Sequence, residues 1–376
     1  MSMRNWILAL PMKRSGAGFW GFACVGIILL SMMSIGCKKE DPMSPDDPTS
    51  GTYFPPVGGS DWVQVSPNTL GWDMDAMEEL KRFLIEKNTK SFMILVDGRI
   101  AIEEYLNGHS PTEEWEWNSA GKTLVTAITG IAAAEGRLDI QKPASDYLGN
   151  GWTNMPLEKE RLITVRNLLT MTSGIDDTRQ LVTRQNLTYV ADAGTRWAYG
   201  NVFQKLMDIV GPQGDESYNR YFNEKLRDRI GMDGRWNHGL IFRIYHSTTR
   251  SMARFGLLAL HHGKWQDEQI VPEAFFREST QPSQEINPSY GYLWWLNGGS
   301  RYMVPSSQNI FPGRLVPNAP TDMYAAMGAR DQRIYVVPSK KMVIIRMGES
   351  SDPMNSSFAV SGFDNELWAK INAVIN

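Results

Sequence analysis

Cysteine is almost absent from this chain. The two present, Cys24 and Cys37, both precede residue 38, so the body that follows has none. That excludes a disulfide framework and a cysteine-based metal site. Histidine is scarce as well: His109, His238, His246, His261 and His262 show no metal-ligand spacing with carboxylates, and His261-His262 would point its rings apart on a helix. No metal site is expected. Net charge is only −3 and no Lys/Arg-rich run is present, so no nucleic-acid partner is expected either. An apolar content of 42% with 11% aromatics suits a folded body, and 376 residues suffice for one large domain or two moderate ones.

The N-terminus reads as an address. Lys13 and Arg14 precede an apolar run from Phe19 to Ile35 that is short for a full membrane span. It ends Ser34-Ile35-Gly36-Cys37, which resembles the lipobox of bacterial lipoproteins, with Ser34 where a Leu is usual. Residues 1–36 are therefore expected to be a lipoprotein signal peptide, and Cys37 the lipidated residue. The body would then be extracytoplasmic and membrane-anchored, on the periplasmic or outer-membrane face. An uncleaved anchor would also place it outside the cytoplasm. Residues 37–60, rich in Pro, Asp, Ser, Thr and Gly, read as a flexible tether.

In the body, Asp75 and Glu78 open a helix with an apolar face of Met77, Leu80 and Leu84. Two β-rich runs, Phe92 to Val96 and Ile100 to Tyr105, flank Asp97-Gly98, which predicts a hairpin. The text then turns helical up to about Gly263, and strand character returns in Tyr324 to Gly328, Ile334 to Val337 and Met342 to Met347 before a closing helix, Glu366 to Ile375. This order predicts an α+β fold: a sheet lobe of about 61–110 and 265–376, completed by sequence-distant segments, and a helical lobe of about 111–264.

Chemistry concentrates in three places. Ser119 and Lys122, three residues apart at a helix start, share one face, so the amine can accept the proton of a hydroxyl too weakly acidic to attack alone. An N-cap serine with a solvated lysine is the competing reading. A phosphate-binding loop is excluded, because Glu116 stands where Gly121-Lys122 would need a glycine five residues earlier. Tyr199-Gly200-Asn201 puts on one loop a phenol able to relay a proton and an amide able to orient Lys122 or a substrate carbonyl. Lastly, Ala325-Ala326-Met327-Gly328-Ala329-Arg330 is a small-residue strand end along which an acyl group could lie, or else an ordinary strand under a helix.

In this order, Ser119-x-x-Lys122, Tyr199-x-Asn201 and the strand ending at Gly328 resemble the three motifs of the serine beta-lactamase and penicillin-binding-protein superfamily, particularly the class C beta-lactamase-related hydrolases and esterases. The stretches Ile163 to Gly174, Arg254 to Leu258 and Tyr290 to Trp295 are similar to further family segments. The resemblance implies a beta-lactamase/transpeptidase-like fold, an antiparallel sheet flanked by helices beside an all-helical lobe. It also implies acyl transfer: Ser119 as nucleophile, Lys122 and Tyr199 as proton-transfer partners, Asn201, Gly328, Ala329 and Arg330 around the substrate and oxyanion, and no cofactor. Where beta-lactamases carry Lys-Thr-Gly this chain has Ala326-Met327-Gly328, leaving Arg330 or Arg333 as the cation that would have to reach back from the turn. The expected activity is that of an esterase or amidase on a small-molecule or peptide-like substrate. The alternatives are a beta-lactamase or D-Ala-peptide-processing enzyme, and a non-catalytic penicillin-binding-like sensor.

Overall fold

A computed structural model describes residues 51–238, 242–355 and 362–376. The expected signal peptide, Cys37 and the first part of the tether lie outside these residues. The tether expected over 37–60 is too long at its C-terminal end. Tyr53 N–H donates to the Asp97 carbonyl at 2.8 Å, Arg254 donates to the Pro56 carbonyl at 2.8 Å, and Phe54 packs on His261 and Trp265. Two aromatic rings in a Pro/Gly-rich stretch are what dock it.

The hairpin forms as expected from β1 (Thr89–Val96) and β2 (Arg99–Tyr105). Asp97 and Gly98 both take positive φ, 47° and 81°, which matches the right-handed twist of the flanking strands. The short strand β3 (Trp295–Leu296) precedes β4 (Tyr324–Gly328), β5 (Gln332–Val337) and β6 (Met342–Gly348), and all six make one antiparallel sheet ordered β2-β1-β6-β5-β4-β3. The register pairs Ile94 with both Ile102 and Ile344. Strands β5 and β6 are buried along their whole length, which is why they read as near-continuous apolar runs.

Helix α1 (Met74–Glu86) is capped two residues earlier than expected, with Asp73 Oδ1 accepting from the Asp75 and Ala76 N–H groups. It buries Leu80 and Leu84, leaves Met77 half-buried and packs against the C-terminal helix Phe363–Ile375. On the other face lies the helix Thr249–Leu260, brought so close that a Cβ on Gly256 would overlap Val343. This helix belongs with the sheet, so the helical lobe expected to run to 264 ends near residue 248. Nor is that lobe all-helical: Trp115–Glu116, Arg235–His238 and Arg243–Ser247 form a three-stranded sheet inside it. Through it runs Lys122–Ala134, buried from Lys122 to Ala132 and therefore apolar nearly all round.

Candidate active site

The order of events before Lys122 fixes the site. Trp117, fully buried, hydrogen-bonds through its indole to Ser247 at 2.8 Å and through its backbone N–H to the Tyr245 carbonyl at 2.8 Å. Asn118 then turns left-handed, φ 48°, a conformation its short polar side chain tolerates, and Nδ2 ties back to Glu116 Oε1 at 3.0 Å and the Ala329 carbonyl at 3.1 Å. From here Asn118–Gly121 is a 3₁₀ turn, with the α-helix starting only at Lys122. In 3₁₀ geometry residues three apart eclipse one another, so Lys122 stands over Ser119. Its Nζ lies 2.7 Å from Ser119 Oγ.

The ammonium form is poorly accommodated here. Lys122 is 3% exposed, and burial lowers its pKa to about 7. Its neighbours are aromatic faces, Tyr199 with its ring centroid at 4.6 Å and Phe203 at 4.4 Å. Tyr199 sits in a box with Trp197, Tyr290 and Trp295. Burial pushes its phenol up to about 12, with Ser119, Arg333 and Trp295 pulling the other way. The amine and the serine hydroxyl thus meet, as their three-residue spacing predicts, and the Tyr199 ring lies against the same amine.

They face a cavity of about 420 Å³ lined by Ser119, Lys122, Tyr199, Asn201 and Ala329, with Phe203, Phe242, Ile244 and Pro305 as apolar wall. Asn201 is on the cavity but does not orient Lys122; its Nδ2 donates to the Gln180 carbonyl and Oε1 at 3.1 and 3.0 Å. Arg330 does not reach back to a substrate. Held left-handed at φ 57°, it pairs with Glu116 at 3.0 Å and Glu349 at 3.4 Å, away from the cavity. Arg333 is no substitute, being fully buried against Asp331 and Asp364.

Gly328 is also placed differently from expectation. It does not line the cavity; Ala329 does. The strand end passes the nucleophile turn so closely that a Cβ on Gly328 would overlap the Trp117 carbonyl oxygen and lie 2.9 and 3.0 Å from the Ala120 and Ser119 nitrogens. Among the described residues β3 pairs with β4 only at Tyr324 and Ala325, so the rest of β4 runs on toward Ser119 past its neighbour. Gly328→Ala is expected to displace the Ser119 turn and to lower kcat/KM by at least about tenfold. Ester hydrolysis by a variant that still unfolds cooperatively checks this.

Sequence reasoning missed Asn118, Gln180, Asp177, Phe203 and Arg243, all on the cavity. Asn118 and Phe203 carried a signal, one residue before Ser119 and two beyond Asn201; Asp177, Gln180 and Arg243 come from loops and a strand with no local pattern.

Comparisons with known proteins bear on the family and the fold. A family profile described as Beta-lactamase matches residues 85–358. The chain is 24% identical over 303 residues to an uncharacterised protein of Alkalihalophilus pseudofirmus, over 70% of this chain and 84% of that one. Among solved structures it is similar to a candidate 6-aminohexanoate-dimer hydrolase from Bacillus anthracis, with TM-score 0.63 and 19% identity over 83% of this chain and 86% of that one. It is also similar to EstCE1, a hydrolase with promiscuous acyltransferase activity, with TM-score 0.59 and 12% identity over 82% and 99% of the two chains. A penicillin-binding protein from Bacillus halodurans gives TM-score 0.56 and 15% identity over 78% and 99%. The sheet, its flanking helices and these matches together make the chain a member of the Beta-lactamase family, with the beta-lactamase/transpeptidase-like fold of its serine hydrolases.

Proposed function

We propose that the protein is an exported serine hydrolase that cleaves a carboxylic ester or amide through an acyl-enzyme on Ser119. The observation that carries this is the 2.7 Å contact between Ser119 Oγ and a buried Lys122 whose pKa lies at about 7. Half-neutral near physiological pH, that amine takes the serine proton as Oγ attacks the carbonyl. The Ser119 and Ala329 N–H groups receive the oxyanion, and Tyr199 passes a proton to the leaving group. Water then releases the acid, and Asn201, steadied by Gln180, orients the acyl part.

An uncharged acyl donor fits better than a beta-lactam carboxylate. Among the described residues the cations on the cavity are Lys122 and Arg243, and Arg243 is spent on Asp208 and Asp215 at 2.7 and 2.8 Å. Position 327, where beta-lactamases carry a Thr between Lys and Gly, is a buried methionine. The test uses three probes. A fluorophosphonate should label wild type and fail on Ser119→Ala, p-nitrophenyl esters should turn over, and a chromogenic cephalosporin should not. Cephalosporin turnover at rates matching the esters would favour the beta-lactamase reading, and labelling without turnover a sensor.

Export rests on the charged and apolar stretch before Cys37. In a bacterial host the wild-type chain should incorporate palmitate, and Cys37→Ser should not. A Cys37→Ser protein that still took up palmitate would remove the lipoprotein assignment.

A further inference from the structure

Tyr290 is fully buried in the aromatic box behind Tyr199, its ring centroid 6.1 Å from Tyr199, 5.4 Å from Trp197 and 4.9 Å from Trp295. Its hydroxyl has no hydrogen-bond partner among the described residues, and the same holds for the Trp197 indole N–H. A dry, unbonded phenol is unfavourable, whereas phenylalanine would fill the same space without that cost. Two orphaned polar hydrogens in one apolar box therefore need an explanation beyond packing. Tyr199 lies between them and Lys122, and it is the group that would acquire negative charge while relaying a proton.

We propose that Tyr290 is a positioning residue for the reaction at Ser119, its free hydroxyl turning toward the Tyr199 oxygen as that phenol gives up its proton. This rests on the acyl-enzyme reading above. An oriented O–H dipole in a water-excluded box stabilises developing charge far better than it would in solvent. Lys122 lies over the Tyr199 ring and Arg333 acts on it at a distance, while Ser119 and the Trp295 indole offer its oxygen hydrogen bonds, to which Tyr290 would add a further donor. Because Tyr199 passes its proton to the leaving group, the effect should grow as the leaving group becomes more basic.

The test is Tyr290→Phe, assayed on a p-nitrophenyl ester and on the alkyl ester of the same acid. The expected result is a kcat on the alkyl ester lower by at least about tenfold with KM unchanged, a change of less than about threefold on the p-nitrophenyl ester, and a Tm equal to or above wild type. Equal losses on both esters, or no loss on either, would overturn the proposal and leave Tyr290 a packing residue. Fluorophosphonate labelling lost in Ser119→Ala checks the acyl-enzyme reading separately; labelling that survives it would overturn both.

Discussion

Lys122→Met is expected to lower acylation by at least about two orders of magnitude and, at the same time, to raise the melting temperature. The loss follows from the role: methionine has no lone pair basic enough to take the Ser119 proton across the 2.7 Å now spanned by the amine. The gain follows from burial. An amine whose pKa falls from an ordinary 10.5 to about 7 on folding is less willing to hold its proton in the native state than in the unfolded chain. The unfolded state therefore binds more protons between pH 7 and 10.5, wild-type stability rises with pH across that window, and below pH 7 the full cost of burying the charge is present. Methionine keeps the stem's packing against Tyr199 and Phe203 and removes that cost, so its advantage should be greatest below pH 7 and vanish toward pH 10.5. A Tm increase of at least about 2 °C at pH 6.5 is the expected reading for a body of this size. In wild type, kcat/KM should rise about tenfold per pH unit below 7 and level off above it. A flat profile from pH 5.5 to 8.5 would remove Lys122 from the proton-transfer step.

What could be read without coordinates was whatever is written locally. Asp97-Gly98 announced its hairpin because only a tight turn asks two successive residues for positive φ, and β4 was legible as a small-residue run between turn signals. Ser119 and Lys122 were legible as a pair because three residues is one turn of helix. The kind of turn was not: the 3₁₀ geometry depends on Trp117 being pinned from Ser247 and Tyr245, residues more than a hundred positions away. Arg330 failed as a substrate-binding cation for a similar reason. Its partners Glu116, more than two hundred positions earlier, and Glu349, on the far side of a hairpin, claim its charge before any ligand can. The Gly328 expectation was right about close approach and wrong about what approaches. The neighbour is the nucleophile's own backbone, an arrangement that exists only once the sheet and the helical lobe have met.

The strand end that carries Ala329 is held from below by a buried charge cluster, and breaking it should cost both stability and activity. Arg333 bonds Asp364 through Nε at 2.5 Å and Nη2 at 3.0 Å, Asp331 through Nη2 at 2.9 Å, and the Gly328 carbonyl through Nη1 at 2.8 Å. Tyr335 donates to the same Asp364 at 2.5 Å, and Arg346 donates to the Arg330 and Asp331 carbonyls at 2.7 and 3.1 Å. Burial works against the Arg333 charge, yet the two carboxylates hold it firmly protonated. Asp364→Ala would leave a fully buried guanidinium with half its compensation, a change worth about 3–5 kcal/mol. Because Arg333 would then be free to shift, the Gly328 carbonyl and the Ala329 turn lose their anchor, so kcat/KM should also fall at temperatures where the variant remains folded. Removing the charges together distinguishes the cause: Arg333→Met with Asp364→Leu deletes cation and anion at once and should recover part of the lost stability, whereas packing alone would make the double variant worse than the single. Acid should act on the same cluster through Asp331. Burial raises the Asp331 carboxyl, but Arg333 and the bonds from Ser351 outweigh it and set the folded value below the ordinary one. Its contribution is therefore complete above the ordinary carboxylate range and is lost as pH falls through the lower folded value. Asp331→Asn should weaken that acid dependence, as chemical denaturation at two pH values would show.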